Sequence, residues 1–175
     1  MTDPKSQPIA SAGEFLAHAL EMEIESRERY SPLADSMEVH HNTEVAELFR
    51  KMAHFSDLHA GEVQQRAAGL TLPTIAPWAF KWSCPDHPEA PCHEDANYLM
   101  TTAEALQLAL FNEIRGRDFY MEVAAGSPDP DVRELAKEMA EEEREHVALL
   151  KKWFAHTAQS AEPVPDDMDP PNIPE

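Results

Sequence analysis

The sequence is poor in three kinds of residue, and each shortage excludes a class of protein. Only two cysteines, Cys84 and Cys92, occur among 175 residues, so no disulfide framework can hold the fold together. Lysine and arginine number 14 against 33 acidic residues, and the net charge of −19 argues against nucleic acid or an anionic membrane as a partner. The longest uncharged run, residues 67–80, is too short to span a bilayer.

Glycine is also scarce, with 5 residues, and the 15 prolines gather mainly in the N-terminal segment, in residues 73–91 and from Pro163 onward. The N-terminal segment has no basic stretch followed by an apolar one, which is the pattern of a secretory signal. We therefore expect a single domain in the cytoplasm, with no membrane partner.

Between the proline-rich segments, apolar residues recur at helical spacing, and no segment alternates with period two. The pattern predicts four helices, over roughly residues 12–35, 43–68, 96–125 and 130–158. Ser11 with Glu14, and Thr101 with Glu104, form capping-box patterns near two helix starts. Asn42 is the expected cap of helix 2.

The connections predict the topology. Helices 1 and 2, and helices 3 and 4, are joined by short turns, so each pair should form an antiparallel hairpin. The long crossover, residues 69–95, is rich in Trp and Phe and should pack on the outside of the bundle. The fold class is therefore all-α, a four-helix bundle over residues 12–158. It is flanked by an N-terminal tail, residues 1–11, and a flexible acidic tail, residues 159–175.

The two hairpins repeat each other in sequence. A shift of 90 residues superimposes Leu16, Glu23, Arg27, Tyr30 and Ala34 of helix 1 on identical residues of helix 3. A shift of 87 residues superimposes Leu48, Met52, Ala53 and His59 of helix 2 on identical residues of helix 4. Such a repeat predicts a pseudo-twofold bundle in which matching positions face each other.

Each predicted core face is apolar at both ends and polar in the middle, at one level of the bundle. The ionisable residues at that level are Glu23, His59, Glu113, Glu143 and His146. Three ionised carboxylates alone in a core would repel one another and would be costly to desolvate. A divalent cation relieves both effects, and carboxylate with imidazole suits iron, manganese or zinc.

Neighbouring residues allow more than one interpretation. Tyr30 and Tyr120 each follow a site glutamate by seven residues, so their phenols are expected either to hydrogen-bond the site carboxylates or to act as packing aromatics. His59, next to Ser56 on its helix face, could instead be a hydrogen-bonded core histidine. The remaining helix and turn histidines are expected at the surface or in turns: His18, His40, His41 and His54.

With these residues identified, the chain resembles the ferritin-like superfamily and is most similar to its rubrerythrin branch. Glu23 and Glu113 match the two single glutamates of that family, and Glu143 with His146 matches one of its two Glu-x-x-His motifs. The resemblance implies two transition-metal ions, iron first with manganese or zinc as alternatives. It also implies reaction with dioxygen, hydrogen peroxide or ferrous iron by an oxidoreductase of peroxidase or ferroxidase type, and a homodimer.

The sequence departs from the family pattern in three places. Ser56 stands where the second Glu-x-x-His motif would have its glutamate, and Gly116 replaces a further glutamate in helix 3. The paired Cys-x-x-Cys motifs of a rubredoxin module are missing, so redox turnover would need a separate electron donor. Two arrangements stay open: a single-ion site, or a two-ion site in which Glu143 bridges an ion on each hairpin.

The crossover contains a second group of possible ligands, Cys84, His87, Cys92 and His93. Two thiols and two imidazoles could form a tetrahedral zinc site, and the two thiols could form a reversible disulfide. A rigid proline-rich loop with no such role is the alternative.

Two other functions remain compatible with the sequence. The chain could store or bind iron or zinc without turnover. It could also be a scaffold that contacts a partner through its crossover or acidic tail, in which case the purified protein would hold no transition metal.

Overall fold

A computed structural model describes residues 7–82 and 96–160, and within these ranges it contains four α-helices and no strand. The helices are α1 (Ala12–Val39), α2 (Thr43–Arg66), α3 (Thr102–Gly126) and α4 (Pro130–Ser160). α1 packs mainly on α2, and α3 packs mainly on α4, so the bundle consists of two hairpins side by side. The predicted all-α class is confirmed. None of the described helices is both long and apolar enough to cross a bilayer.

The helix starts follow from capping in two cases. Thr101 and Glu104 form a complete capping box, and α3 therefore begins at Thr102. The predicted start near residue 96 was too early. At the start of α1, the Ser11 hydroxyl accepts a hydrogen bond from the Glu14 backbone N–H at 3.2 Å.

Contacts between distant segments modify two local predictions. Asn42 occupies the N-cap position of α2 as predicted, but its side chain makes no capping hydrogen bond, and its amide donates to the backbone carbonyl of Met100 at 2.7 Å. α1 does not end near residue 35. It continues to Val39, because Met37 on the additional turn is buried in the core.

The internal repeat agrees with the helix boundaries. α3 begins 90 residues after α1, and α4 begins 87 residues after α2, which are the two shifts that align the sequences. The buried apolar side chains form one cluster at each end of the bundle, one around Phe15 and Phe119 and the other around Phe49 and Leu106. The polar level of the four helices lies between these clusters.

The first part of the crossover packs against the outside of the bundle, as predicted. Phe80 and Trp82 are buried beside His18 of α1. The backbone N–H of Lys81 donates to His18 Nε2 at 3.0 Å, while His18 Nδ1 lies 2.8 Å from the Glu14 carbonyl oxygen and donates to it. His18 is therefore a fully buried anchor, and its predicted place at the surface was wrong.

Candidate metal centre

Five ligand-type side chains converge midway along the bundle. They are Glu23 on α1, His59 on α2, Glu113 on α3, and Glu143 and His146 on α4. Each lies on the face of its helix that turns inward, because the apolar residues before and after it on the same face are in the core. The structure thus brings together all five residues singled out in the sequence. Their role as ligands stays a prediction.

The donor atoms lie at separations that suit shared metal ions. His146 Nδ1 is 3.3 Å from Glu143 Oε2 and 3.5 Å from Glu113 Oε2, and His59 Nδ1 is 3.5 Å from Glu23 Oε1. Two donors that each lie about 2.1 Å from a tetrahedral ion are about 3.4 Å apart. One donor atom from each of His59, Glu143 and His146 also lies within 4.8 Å of the other two.

The two imidazoles face each other across the site. The rings of His59 and His146 stack with centroids 4.4 Å apart and an interplanar angle of 16°. The Phe55 ring lies parallel to the His146 ring, with centroids 6.4 Å apart. Each imidazole has its Nδ1 atom near a glutamate of α1 or α3.

The carboxyl groups are crowded and almost without solvent. Burial raises the pKa of the Glu143 carboxyl well above its usual range, and the neighbouring Glu113 and Glu23 carboxylates raise it further. Burial also raises the pKa of Glu23, although a hydrogen bond with His59 opposes that effect. Without a cation, the site therefore favours protonated carboxyl groups, and Glu113 and Glu143 share a hydrogen bond.

The pKa of the His146 imidazole is also raised, but the neighbouring carboxylates rather than burial are the cause. Burial lowers the pKa of its imidazole, but the hydrogen bond to Glu113 and the charges of Glu113, Glu23 and Glu142 together outweigh burial, so the pKa is raised. The site thus attracts positive charge, in the form of either a proton or a metal ion.

The environment of Glu23 Oε2 indicates whether the donor set suits a cation. Glu23 Oε2 is buried and has no hydrogen-bond partner within residues 7–82 and 96–160. A buried acceptor without a donor is costly, and it is rare unless an ion or water completes it. Together with two imidazoles and two further carboxylates, it fits a first-row divalent transition metal.

The hydroxyl of Ser56 hydrogen-bonds to a residue that is not one of the five candidate ligands. It donates to Ser26 Oγ of α1 at 2.9 Å, and both side chains are buried. The adjacent acidic residue does not replace the missing glutamate, because Asp57 is exposed and pairs with Arg27 at 3.0 Å on the outer surface. The centre therefore has three carboxylates from its four helices.

Tyr30 and Tyr120 are both fully buried near the site level. The Tyr30 hydroxyl accepts a hydrogen bond from Asn112 Nδ2 at 3.0 Å. Tyr120 packs edge-on against Phe15. Their hydrogen bonding to the site carboxylates stays a prediction. Asn112 was missed in the sequence, although its position beside Glu113 on a buried face could have indicated it.

A cavity of about 260 Å³ connects the centre to solvent between α2 and α4. Both imidazoles, Glu23 and Glu143 line its inner part. Its outer part carries the charged residues Glu62, Arg66, Glu142 and Glu145. Small molecules and ions therefore have a path to the donor atoms.

This cavity is also lined by an ion pair that the sequence did not predict. The Arg66 guanidinium binds both carboxylate oxygens of Glu142, at 2.5 and 3.2 Å, and so joins α2 to α4. The hydrogen bond to Glu142 raises the pKa of Arg66. No sequence pattern connects two residues that are 76 positions apart.

The second candidate group cannot be placed in the fold. Cys84, His87, Cys92 and His93 lie outside the described residues. Their possible role in zinc binding or in a disulfide stays a prediction.

The chain was compared with known proteins. The sequence profile of the rubrerythrin family matches residues 14–75 and 104–169, which contain all five candidate ligands. A crystal structure of an uncharacterized conserved protein from Magnetospirillum magnetotacticum MS-1 is 44% identical and superimposes with a TM-score of 0.65. It covers 88% of this chain, and this chain covers 98% of it. No curated protein matches. The chain belongs to the rubrerythrin family and carries that family's non-haem metal-binding type of domain.

Proposed function

We propose that this protein is a non-haem oxidoreductase that holds two transition-metal ions, iron in the first place, and reacts with hydrogen peroxide or dioxygen. One observation carries the proposal: three buried carboxyl groups and two imidazoles converge, and four of these five side chains line a cavity that opens to solvent. Membership of the rubrerythrin family supports a metal-binding role for this convergence.

Each hairpin contributes to the binding of one ion. Glu23 and His59 would hold one, Glu113 and His146 would hold the other, and Glu143 would bridge them. When bound, a pair of redox-active ions supplies the electrons that a small oxidant takes up. The three carboxylates neutralise most of the charge of two divalent ions, which makes so buried a pair of cations tolerable.

Other residues of the site limit the access of small molecules and the orientation of the imidazole rings. The His59 and His146 rings stack on each other, and the Phe55 ring lies parallel to that of His146, so this packing restricts rotation of the His146 imidazole. The cavity admits a small oxidant, and Arg66 and Glu142 narrow its charged outer part. Electrons would come from a separate reductant, because the sequence has no paired Cys-x-x-Cys motifs of the rubredoxin type.

Elemental analysis of protein purified without an affinity tag, after expression with iron and manganese, tests the metal content. We expect about two equivalents per chain, and a loss of metal in Glu143→Ala. Glu141→Ala is the matched control, because Glu141 is an exposed residue two positions away on the same helix. Equal metal content in Glu143→Ala and in the wild type would contradict the proposal.

Turnover is tested separately from binding. Iron-loaded protein with a supplied reductant should consume hydrogen peroxide or dioxygen over many cycles, and Glu143→Ala should not. Metal that binds at full stoichiometry but supports only a single oxidation would favour iron storage instead. Protein that binds no transition metal would favour the scaffold.

A further inference from the structure

The two hairpins supply unequal donor sets to the centre. α3 and α4 contribute two carboxylates and one imidazole, whereas α1 and α2 contribute one carboxylate and one imidazole. The difference arises at a single pair of matched positions, because Ser56 is the residue 87 positions before Glu143.

The donors of the α3–α4 hairpin are already grouped around one point. His146 Nδ1 lies 3.3 Å from Glu143 Oε2 and 3.5 Å from Glu113 Oε2. All three side chains come from helices that pack extensively on each other. An ion bound here would need little reorganisation, and preorganised donors bind more tightly.

The α1–α2 hairpin offers only one close pair of donors. His59 Nδ1 lies 3.5 Å from Glu23 Oε1, and the Ser56 hydroxyl is already engaged with Ser26. Among the five candidate ligands, a further carboxylate for an ion at this position is available from the other hairpin. Glu143 has a donor atom within 4.8 Å of one on His59.

The carboxylate charge available to each ion also favours tighter binding on the α3–α4 hairpin. Glu113 and Glu143 together neutralise one divalent cation, whereas Glu23 alone leaves a divalent cation with one excess positive charge. Both positions lie close to the cavity, since His59 and His146 both line it. The two positions therefore do not differ in their access to solvent. They differ in the number and the charge of their ligands, which set the affinity for hard and borderline divalent cations.

From these observations, and on the basis of the proposed function, we infer that the two ions have different roles. The α3–α4 hairpin holds a resident ion through Glu113, Glu143 and His146. The α1–α2 hairpin holds a weakly bound, exchangeable divalent transition-metal cation through Glu23 and His59. The second position is thus a place where a metal ion arrives from solution and leaves again, while the first keeps its ion.

Titration of the metal-free protein with Co²⁺, followed by visible absorption and calorimetry, tests the inference. We expect two ions per chain with dissociation constants at least about tenfold apart, the second one millimolar or tighter. When the loaded protein is mixed with a chelator, one equivalent should leave quickly and the other slowly.

Substitutions at matched positions of the repeat show which hairpin is responsible for each of the two dissociation constants. His59→Ala should abolish the weaker binding and leave the tight constant within about threefold, and His146→Ala should weaken the tight binding at least about tenfold. Ser56→Glu should bring the second constant within about threefold of the first, because it supplies the missing carboxylate. Glu23→Gln and Glu113→Gln repeat the comparison with isosteric changes. Circular dichroism of each variant verifies that the helices are intact.

Two results would overturn the inference while leaving the proposed function in place. These are equal constants in the wild type or identical effects of His59→Ala and His146→Ala. A stoichiometry of one, or absence of any bound Co²⁺, would overturn both the inference and the proposed function.

Discussion

The α1–α2 hairpin and the α3–α4 hairpin share a sequence pattern but differ at a few buried positions. Where α3 has Leu108 and Asn112, α1 has His18 and Met22, 90 residues earlier. The α1–α2 hairpin uses His18 to fix the crossover, and the α3–α4 hairpin uses Asn112 to hold the Tyr30 hydroxyl.

This difference shows which parts of the repeat are needed for folding and which are available for chemistry. The capping residues and the apolar ends of each face are kept in both hairpins, and they are enough to build matching helices. The polar residues between them are not equivalent. One hairpin therefore supplies more of the candidate metal ligands, and the other anchors the long connection.

The largest effect is expected at Glu143, the carboxylate that the α1–α2 hairpin lacks. In Glu143→Gln, we expect metal affinity to fall by at least about tenfold, because a neutral amide neither bridges nor neutralises two cations. We also expect the metal-free variant to be more stable than the metal-free wild type, by about 1–4 kcal/mol, because a buried, repelled carboxyl group is removed. Denaturant unfolding of both metal-free proteins measures the second effect.

Ser56→Ala is the control at the matched position. It removes the hydrogen bond to Ser26 and should destabilise the protein by about 1 kcal/mol without changing the affinity for the tightly bound ion. A metal-free Glu143→Gln protein that unfolds more readily than the wild type would show that the carboxyl group stabilises the fold.

The next largest effect, on the stability of the fold, is expected from substitution of His18. Replacing it with leucine, the residue at the matched position of α3, leaves the backbone N–H of Lys81 without its acceptor. The free energy of unfolding should fall by about 2 kcal/mol. Proteolysis of the crossover should become faster, because its anchor to α1 is lost. Leu108→Ala provides a control for loss of packing at the matched site.

His18 should also give the protein a measurable pH dependence. Burial lowers the pKa of its imidazole, and the hydrogen bond to Glu14 only partly opposes that effect. The folded state therefore disfavours the charged form, and its advantage over the unfolded chain declines as the pH falls below the ordinary value of 6.5. The stability difference between wild type and His18→Leu should be largest near pH 7.5 and smaller at pH 5.5. A difference that does not change with pH would contradict this.

A smaller effect is expected at Asn112. Asn112→Met copies Met22 and removes the amide that donates to the buried Tyr30 hydroxyl, so we expect a loss of about 1 kcal/mol. Met22→Leu is the control, because it changes an apolar side chain at the matched position without affecting a hydrogen bond. Thermal unfolding of both variants is sufficient to compare them.

The smallest effect is expected at the surface. Arg27 pairs with Asp57 across the first hairpin, whereas the matched residues of the second hairpin, Arg117 and Arg144, have like charges. Because the pair is exposed to solvent, Asp57→Ala should change stability by less than about 1 kcal/mol, and the change should diminish in high salt. A larger loss would mean that the pair is part of a wider network.

Much of the fold could be predicted because it depends on local patterns. Helical spacing identified four helices, and the capping box at Thr101 marks the start of α3 better than the apolar pattern does. The phase of the four core faces placed the five candidate ligands at one level. These inferences require only residues that are close together in the sequence.

The remainder depends on contacts between distant segments. His18 is buried because a backbone group of the crossover satisfies its ring nitrogen. The Asn42 side-chain amide donates to the backbone carbonyls of residues 98 and 100 and does not cap its own helix. Arg66 meets Glu142 only after both hairpins have docked. No periodicity in the chain encodes such partners.

The unequal lengths of α1 and α3 have a consequence for protein engineering. α1 has 28 residues and α3 has 25, and the additional residues of α1 lie beyond Tyr30, on the far side of the candidate ligands. An insertion of one residue within a helix would rotate every later side chain by about 100° and turn ligands away from the centre. The tips of the hairpins absorb a change in length without this rotation. A label or an affinity segment is therefore best inserted at a tip, where the register of all four helices is preserved.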